Sequence, residues 1–153
     1  MSCNFLSTTF ARTDAKARLS VPAGYRRKLE EAGDQRIVLL PNLTEPAVQA
    51  YPMALWLERV KKISALPPSH PVVRRVKKVQ FAMACEVIPD GHGRVLLTPE
   101  LRAHAGIAAP DDVAIVGEGE FFELWNAERW RQESAQALAE LASDIDAFVE
   151  LGL

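Results

Sequence analysis

Hydrophobic positions along the chain follow two patterns. Short runs of aromatic and β-branched residues between turn formers predict strands. Residues 5–10 (FLSTTF), 19–21, 36–40, 48–51, 95–97, 112–116 and 122–125 are such runs. Apolar residues three and four apart predict helices. Residues 53–66 carry Trp56, Val60 and Ile63 on one stripe, and residues 72–84 carry Val72, Val76, Val79 and Met83. A third helix starts after Asn126, which can cap it, and runs towards Phe148. Its Leu138, Leu141, Ile145 and Phe148 are spaced for packing on another helix. Two shorter helices, 23–31 and 100–104, follow Pro22 and Pro99, where a fixed φ suits a first helical turn. Thr98 is placed to cap the second. Gly33 and Gly106 stop them. The stretch LPPSHP, 66–71, is a rigid break between the first two long helices.

The strands and short helices occur twice. Residues 14–26, DAKARLSVPAGYR, return 76 positions later as DGHGRVLLTPELR, residues 90–102. Aspartate matches aspartate (Asp14, Asp90), and arginine matches arginine four places on (Arg18, Arg94). A second arginine closes each block (Arg26, Arg102). The run 36–40 has its counterpart in 112–116 at the same offset, and 48–51 matches 122–125 at 74. A repeat of this length marks one fold unit used twice. Each unit is β-β-α-β-β and too small to be comfortable alone, since unaided folding becomes difficult below about 40 residues. The two are therefore expected to share a core. The predicted class is α+β, with a first unit at 8–54, a helical connector at 55–83, a second unit at 84–127 and a C-terminal helix at 128–153.

Charge sharpens this picture. The chain carries a net −2, but residues 1–80 hold 14 Lys/Arg against 6 Asp/Glu, and residues 81–153 hold 4 against 14. A cationic half joined to an anionic half points to a polyanion on one side, or to compensation within the fold or between subunits. No run of eighteen apolar residues marks a membrane span. The N-terminus lacks the pattern of a secretion signal. Cys3 and Cys85 have no framework spacing, so reduced thiols and a cytoplasmic location are expected.

Catalytic constellations are missing from the pattern. His70, His92 and His104 have neither metal-ligand spacing nor a cysteine pair beside them. There is no glycine-rich phosphate cradle and no serine in a nucleophile elbow. No cofactor, metal or small-molecule substrate is expected. Asp14 and Asp90 read better as turn aspartates that restrain a nearby arginine than as paired acid–base groups. Arg18 and Arg94 each follow a turn and open a strand. A guanidinium there keeps its charge, and its fork fits guanine O6/N7 or a phosphate. The competing role is a structural pair, Arg18 with Asp90 and Arg94 with Asp14, across the two units. Arg12, Asp14, Lys16 and Arg18 give the first tip a balance of +2. Ile88, Asp90, His92 and Arg94 give the second a balance of 0 with His neutral. The first tip is thus expected to draw phosphate more strongly. The run Arg74, Arg75, Lys77, Lys78 reads as a solvated helix face, a phosphate clamp or a partner for a neighbour's acidic third helix. Trp56, Trp125 and Trp130 read as core or subunit contacts.

Taken together, DAKARLSVPAGYR, DGHGRVLLTPELRAHAGI, FELWNAERW and the helix PVVRRVKKV resemble the MraZ family of bacterial transcriptional regulators over nearly the whole chain. The resemblance implies two AbrB-type swapped-hairpin units interlocked as an intramolecular pseudo-dimeric β-barrel. It implies chains assembled into a closed homo-oligomeric ring in the cytoplasm, associated with the nucleoid. The implied partner is double-stranded DNA, read at short direct repeats in the promoter of the division and cell-wall gene cluster, usually in repression that includes the protein's own gene. By matching position, the DNA-facing residues are Asp14, Lys16, Arg18, Asp90, His92 and Arg94. Three positions depart from the family pattern: Ala17 stands where Gly93 and the family have glycine, Thr98 where Pro22 has its counterpart, and His92 where a basic residue is common. If that turn position needs positive φ, alanine costs about 1 kcal/mol or more.

The alternative function is a protein-interaction module of antitoxin-like type, whose acidic C-terminal helix covers a partner. A structural ring with incidental basic patches is a second rival. It predicts DNA binding with no sequence preference and a steep dependence on salt.

Overall fold

Eight strands and six helices make up residues 3–153 of the computed structural model. The strands are β1 (Thr8–Arg12), β2 (Arg18–Ser20), β3 (Ile37–Pro41), β4 (Ala47–Pro52), β5 (Cys85–Val87), β6 (Arg94–Leu96), β7 (Asp112–Gly117) and β8 (Phe122–Asn126). The helices are α1 (Ala23–Glu31), α2 (Met53–Ser64), α3 (Pro71–Val76), α4 (Pro99–Ala105), α5 (Ala127–Ser143) and α6 (Ile145–Glu150). α3 continues as a π-helical turn, Lys77–Phe81. The predicted strands and short helices stand within a few residues of these bounds, and α1 matches its predicted span.

Six strands form one antiparallel sheet in the order β1-β7-β8-β4-β3-β5. β2 and β6 form a separate two-stranded ribbon. Strands from the N-terminal half pair with strands from the C-terminal half throughout: β1 with β7, β3 with β5, β4 with β8, and β2 with β6. The expected closed barrel is not found. β1 and β5 each have a single neighbour and lie at opposite edges of the sheet. The three-residue strands β2 and β6 pair with each other alone, because the turns before them carry the chain off the sheet.

Helices explain why the central strands read as unbroken apolar runs. Both faces of the sheet are covered, a pattern that removes the polar alternate positions. On one face Leu39, Val48, Ile115, Phe122 and Leu124 meet Leu19 and Val95 of the ribbon, Tyr25 and Leu29 of α1, and Leu101 of α4. On the other, Val38, Leu40 and Tyr51 lie under Met53, Leu55 and Trp56 of α2. Ala114, Val116 and Trp125 lie under Trp130 of α5. Each large side chain so buried contributes about 1.5–3 kcal/mol relative to exposure.

Three predicted elements differ, the first being the C-terminal helix, which breaks at Asp144 into α5 and α6. The run 5–10 is not one strand. Ser7, at φ 74°, splits it, so Phe5 makes only an isolated bridge to Gly119. Phe5 is buried in an aromatic cluster with Tyr25 and Phe122, at ring distances of 4.9 and 5.2 Å. A side chain at Gly117 would place its Cβ 2.6 Å from the backbone of Phe5 and Leu6, so glycine permits this close approach. The segment 72–84 is not a uniform α-helix either. Val73 is buried where Val72 and Val79 were expected, and both of those are exposed. Gln80, seven residues after Val73 and so on the same helical face, is buried to 1% exposure. There Gln80 Nε2 donates to the Pro41 carbonyl at 3.1 Å, and Arg59 Nε donates to Gln80 Oε1 at 2.8 Å.

Candidate nucleic-acid interface

Each ribbon strand is preceded by a turn that an aspartate builds. Asp14 Oδ1 accepts the backbone N–H of Lys16 at 2.9 Å and of Arg18 at 3.0 Å. Its own carbonyl accepts from Ala17 N at 3.0 Å, and its N–H donates to the Arg18 carbonyl at 3.1 Å. Asp90 repeats the set: Oδ1 accepts from His92 N at 2.8 Å and Arg94 N at 3.0 Å, and its carbonyl accepts from Gly93 N at 2.8 Å. A short carboxylate reaches backbone two and four residues on, which is why Asp-x-x-x-Arg is the spacing. The N–H donors of Arg18 and Arg94 are the first cause that holds the Asp14 and Asp90 carboxyls below their ordinary pKa.

The second carboxylate oxygen of each turn holds an arginine. Arg18 Nε donates to Asp14 Oδ2 at 2.6 Å, and Arg94 Nε donates to Asp90 Oδ2 at 3.2 Å. The dominant pairs therefore lie within each turn, not across the two units as the structural alternative required. One link crosses: Arg94 Nη1 lies 4.0 Å from Asp14 Oδ2. In Arg18 only Nε is engaged among the described residues. The terminal Nη pair is the part of the fork that can reach a guanine edge or a phosphate in bidentate fashion. The Arg18 and Arg94 side chains are 36% and 28% exposed, so neither is locked in the interior. Lys16 and His92 are exposed at the turns themselves.

Ribbon pairing sets the two turns at the two ends of one three-residue ribbon. Leu19 faces Val95 at its centre, with Arg18 opposite Leu96 and Ser20 opposite Arg94. Side chains alternate along a strand. Leu19 and Val95 enter the core, so Arg18 and Arg94 share the outer face. Val21 N donates to the Gly93 carbonyl and Leu97 N to the Ala17 carbonyl, both at 2.9 Å. Each turn is thus bonded to the strand that leaves the other. Asp14, Lys16, Arg18, Asp90, His92 and Arg94 thus flank one short ribbon, close enough for Arg94 Nη1 to lie 4.0 Å from Asp14 Oδ2.

The chain is similar to known proteins over nearly all its length. A family model for the MraZ protein, whose description reads antitoxin-like, matches residues 80–148. The chain is 36% identical over 142 residues to the transcriptional regulator MraZ of Sodalis glossinidius, covering 92% of both chains. It is 35% identical over 141 residues to the transcriptional regulator MraZ of Nitrosococcus oceani, covering 92% of this chain and 93% of the relative. The chain belongs to the MraZ family. The transcriptional regulator MraZ of Escherichia coli strain K12 is 36% identical over 143 residues, covering 94% of this chain and 88% of that one. Family membership makes transcription regulation the established role of the relatives, as their names state.

Two arginines behind the turns acquire roles that their place in the repeat did not suggest. Arg26 Nε donates to the Val21 carbonyl at 3.2 Å, and its guanidinium lies under Gly93. Arg102, its counterpart, has a buried Nε without a hydrogen-bond partner among the described residues. The only available signal was their equal distance from Arg18 and Arg94. Arg12 changes the charge reading of the first tip. It pairs with Asp112 at 3.1 Å, both side chains well exposed, which offsets part of the +2. Trp125 and Trp130 pack together with ring centres 5.6 Å apart, and Trp56 packs on Phe81 at the same distance. Among the described residues no group of three or more His, Cys, Asp or Glu could hold a metal ion, and no helix is long and apolar enough to cross a membrane.

Proposed function

We propose that this MraZ-family protein is a sequence-specific DNA-binding transcriptional regulator acting as a repressor. Its targets are short direct repeats in the promoter of the division and cell-wall gene cluster, upstream of its own gene. One observation carries the reading: two carboxylate-braced arginines stand on the same outer face of one ribbon, with terminal nitrogens available to a ligand. Asp14 and Asp90 orient the forks, Arg18 and Arg94 read or clamp, and Lys16 and His92 contact the backbone. A guanidinium held by a carboxylate loses less rotamer freedom on binding than a free one.

Segments 8–54 and 84–127 are read as two swapped-hairpin units, which the exchange of strand partners between the halves supports. The helical connector is 55–83, and the C-terminal helix is 128–153. Chains assemble into a closed ring, so that tips on adjacent subunits engage successive repeats. Linkage lets weak single contacts add to strong overall binding. The protein works on the nucleoid and carries no catalytic step.

Footprinting on the gene's own upstream region, with excess competitor DNA, tests this. Protection confined to direct repeats and resistant to competitor is expected. Protection spread evenly, and lost steeply with salt, would overturn sequence-specific reading. Capture of a foreign protein without nucleic acid, together with an unprotected upstream region, would favour the protein-interaction alternative.

A further inference from the structure

The base of α5 is firmly seated. Asn126 Oδ1 accepts from Arg129 N at 3.1 Å, Trp130 packs on Trp125, and the Arg131 guanidinium lies 4.6 Å from the Phe10 ring centre. Beyond Arg131 the helix leaves the body. Leu138, Leu141 and Ile145 recur on one stripe and are 72%, 46% and 49% exposed. Val149 continues the stripe on α6 and is exposed as well. A projecting helix with an uncovered apolar stripe gains little from propensity alone, since most helical stability in proteins comes from packing such a face.

Charge indicates what covers it. After Arg131 the chain holds Glu133, Glu140, Asp144, Asp146 and Glu150, and no Lys or Arg. Residues 53–84, which form α2, α3 and the π-helical turn, hold seven Lys/Arg against one Glu. That surface also leaves Leu57, Val72 and Val79 exposed among its cations. Two α5 helices laid together would bring acidic flanks against acidic flanks. An acidic helix on the basic helical surface removes that repulsion and covers apolar residues on both partners.

We propose that the distal half of α5, with α6, docks apolar side down across the α2–α3 surface of a second copy of this chain. The donor and acceptor patches differ, so the contact is heterologous and propagates around a ring. The inference rests on the assembly reading above and specifies the interface that makes it. It also assigns the Arg74–Lys78 cations to a neighbouring subunit, not to DNA phosphate.

The test is charge exchange in the full chain, read as mass by light scattering at moderate salt. R75E/K78E makes the helical surface more acidic. E140R/D146R places cations on either side of the apolar stripe. All four positions are exposed, and circular dichroism checks that each variant folds. Wild type is expected to assemble, and each double variant alone to fall to a single chain of 16.9 kDa. Mixed in equal amounts, the two variants should assemble again, because each then presents what the other lacks. Assembled wild type with both variants unchanged in mass would sink the docking and leave the assembly reading standing. A monomeric wild type would sink both. Loss of DNA affinity in R75E/K78E at unchanged mass would reassign the surface to phosphate and overturn the proposal.

Discussion

The guanidinium of Arg26 fills the space beneath Gly93. A Cβ built on Gly93 would meet Arg26 Cζ at 2.6 Å and Nε at 2.7 Å, and Gly93 itself sits at φ 76°. The first turn has the same left-handed geometry at Ala17, φ 63°, with its methyl buried. Among the described residues Arg102, which matches Arg26 in the repeat, lacks the Nε bond that Arg26 makes. The two turns therefore share a left-handed backbone position, and the second packs it on Arg26.

Gly93→Ala must take up left-handed strain of about 1–2 kcal/mol and push Arg26 off the Val21 carbonyl. We expect a loss of about 2–3 kcal/mol in urea unfolding. Ala17→Gly relieves similar strain but gives up a buried methyl worth about 0.8 kcal/mol and adds unfolded-state entropy. It should stay within about 1 kcal/mol of wild type. Equal losses at the two positions would show that Arg26 gives the second turn no particular support.

The exposed fork argues for unequal roles in DNA binding. Arg18 is the more exposed arginine, and its own turn carries Lys16. Arg94 is less exposed and partly drawn to Asp14. Arg18→Ala should weaken promoter binding by about 5- to 150-fold, the range for losing one bidentate arginine, without changing the assembly. Arg94→Ala should weaken it less. Titration by fluorescence anisotropy at one fixed salt concentration reads both, and a larger loss from Arg94→Ala would reverse the assignment of the leading tip.

Stability should respond to acid in two opposite ways. The side chain of Arg36, hydrogen-bonded to Asp34, holds that carboxyl down to about 2. A lowered folded pKa means stability that is present above the unfolded value of about 3.9 and is lost as pH falls towards 2. Asp14 and Asp90 act in the same sense, through their backbone donors. Glu45 is raised first by desolvation and then by Glu123 and Glu133, and Glu118 first by desolvation and then by Glu123 and Glu45. Their contribution has the reverse sign: it is full below the unfolded value and is lost as pH rises through the folded one. Asp34→Asn should lower Tm at pH 7, with most of that effect gone by pH 2. Glu118→Gln should raise Tm at pH 7 and have no effect at pH 3. Scanning calorimetry across that range checks both signs.

Local patterns in the chain carry local structure. The aspartate four residues before each arginine announces a turn, and both turns have it. The 76-residue offset announces equivalent strands, and β3 and β7 are equivalent. Partners were harder to read. Nothing near Leu39 says that its strand lies against Cys85, since that pairing depends on chain entering from the other half. Closure of a barrel was inferred from family likeness and is absent, because no local pattern encodes what an edge strand meets. At the site, the two turns built by Asp14 and Asp90 were legible. The seat of Arg26 was not, because it joins a local bond to Val21 with a contact beneath Gly93 from the other repeat.

Gln80 shows why a polar residue can sit where periodicity asks for an apolar one. Its amide bridges two elements, accepting from Arg59 on α2 and donating to Pro41 at the end of β3. The predicted stripe put Val79 in line with Val72, but Val73 faces inward, and Gln80, seven residues on, shares its face. Gln80→Leu keeps the volume but leaves the Pro41 carbonyl without this donor and Arg59 without this acceptor. An unsatisfied buried group of this kind costs about 1–3 kcal/mol. Gln80→Glu keeps an acceptor for Arg59 and loses the donor, so it separates the two bonds. We expect Leu to cost about 2 kcal/mol in urea unfolding and Glu to cost less at pH 7, where Arg59 can pair with the carboxylate. If Leu proves as stable as glutamine, the π-helical turn is held by the packing of Val73 and Phe81 alone and the bridge adds nothing.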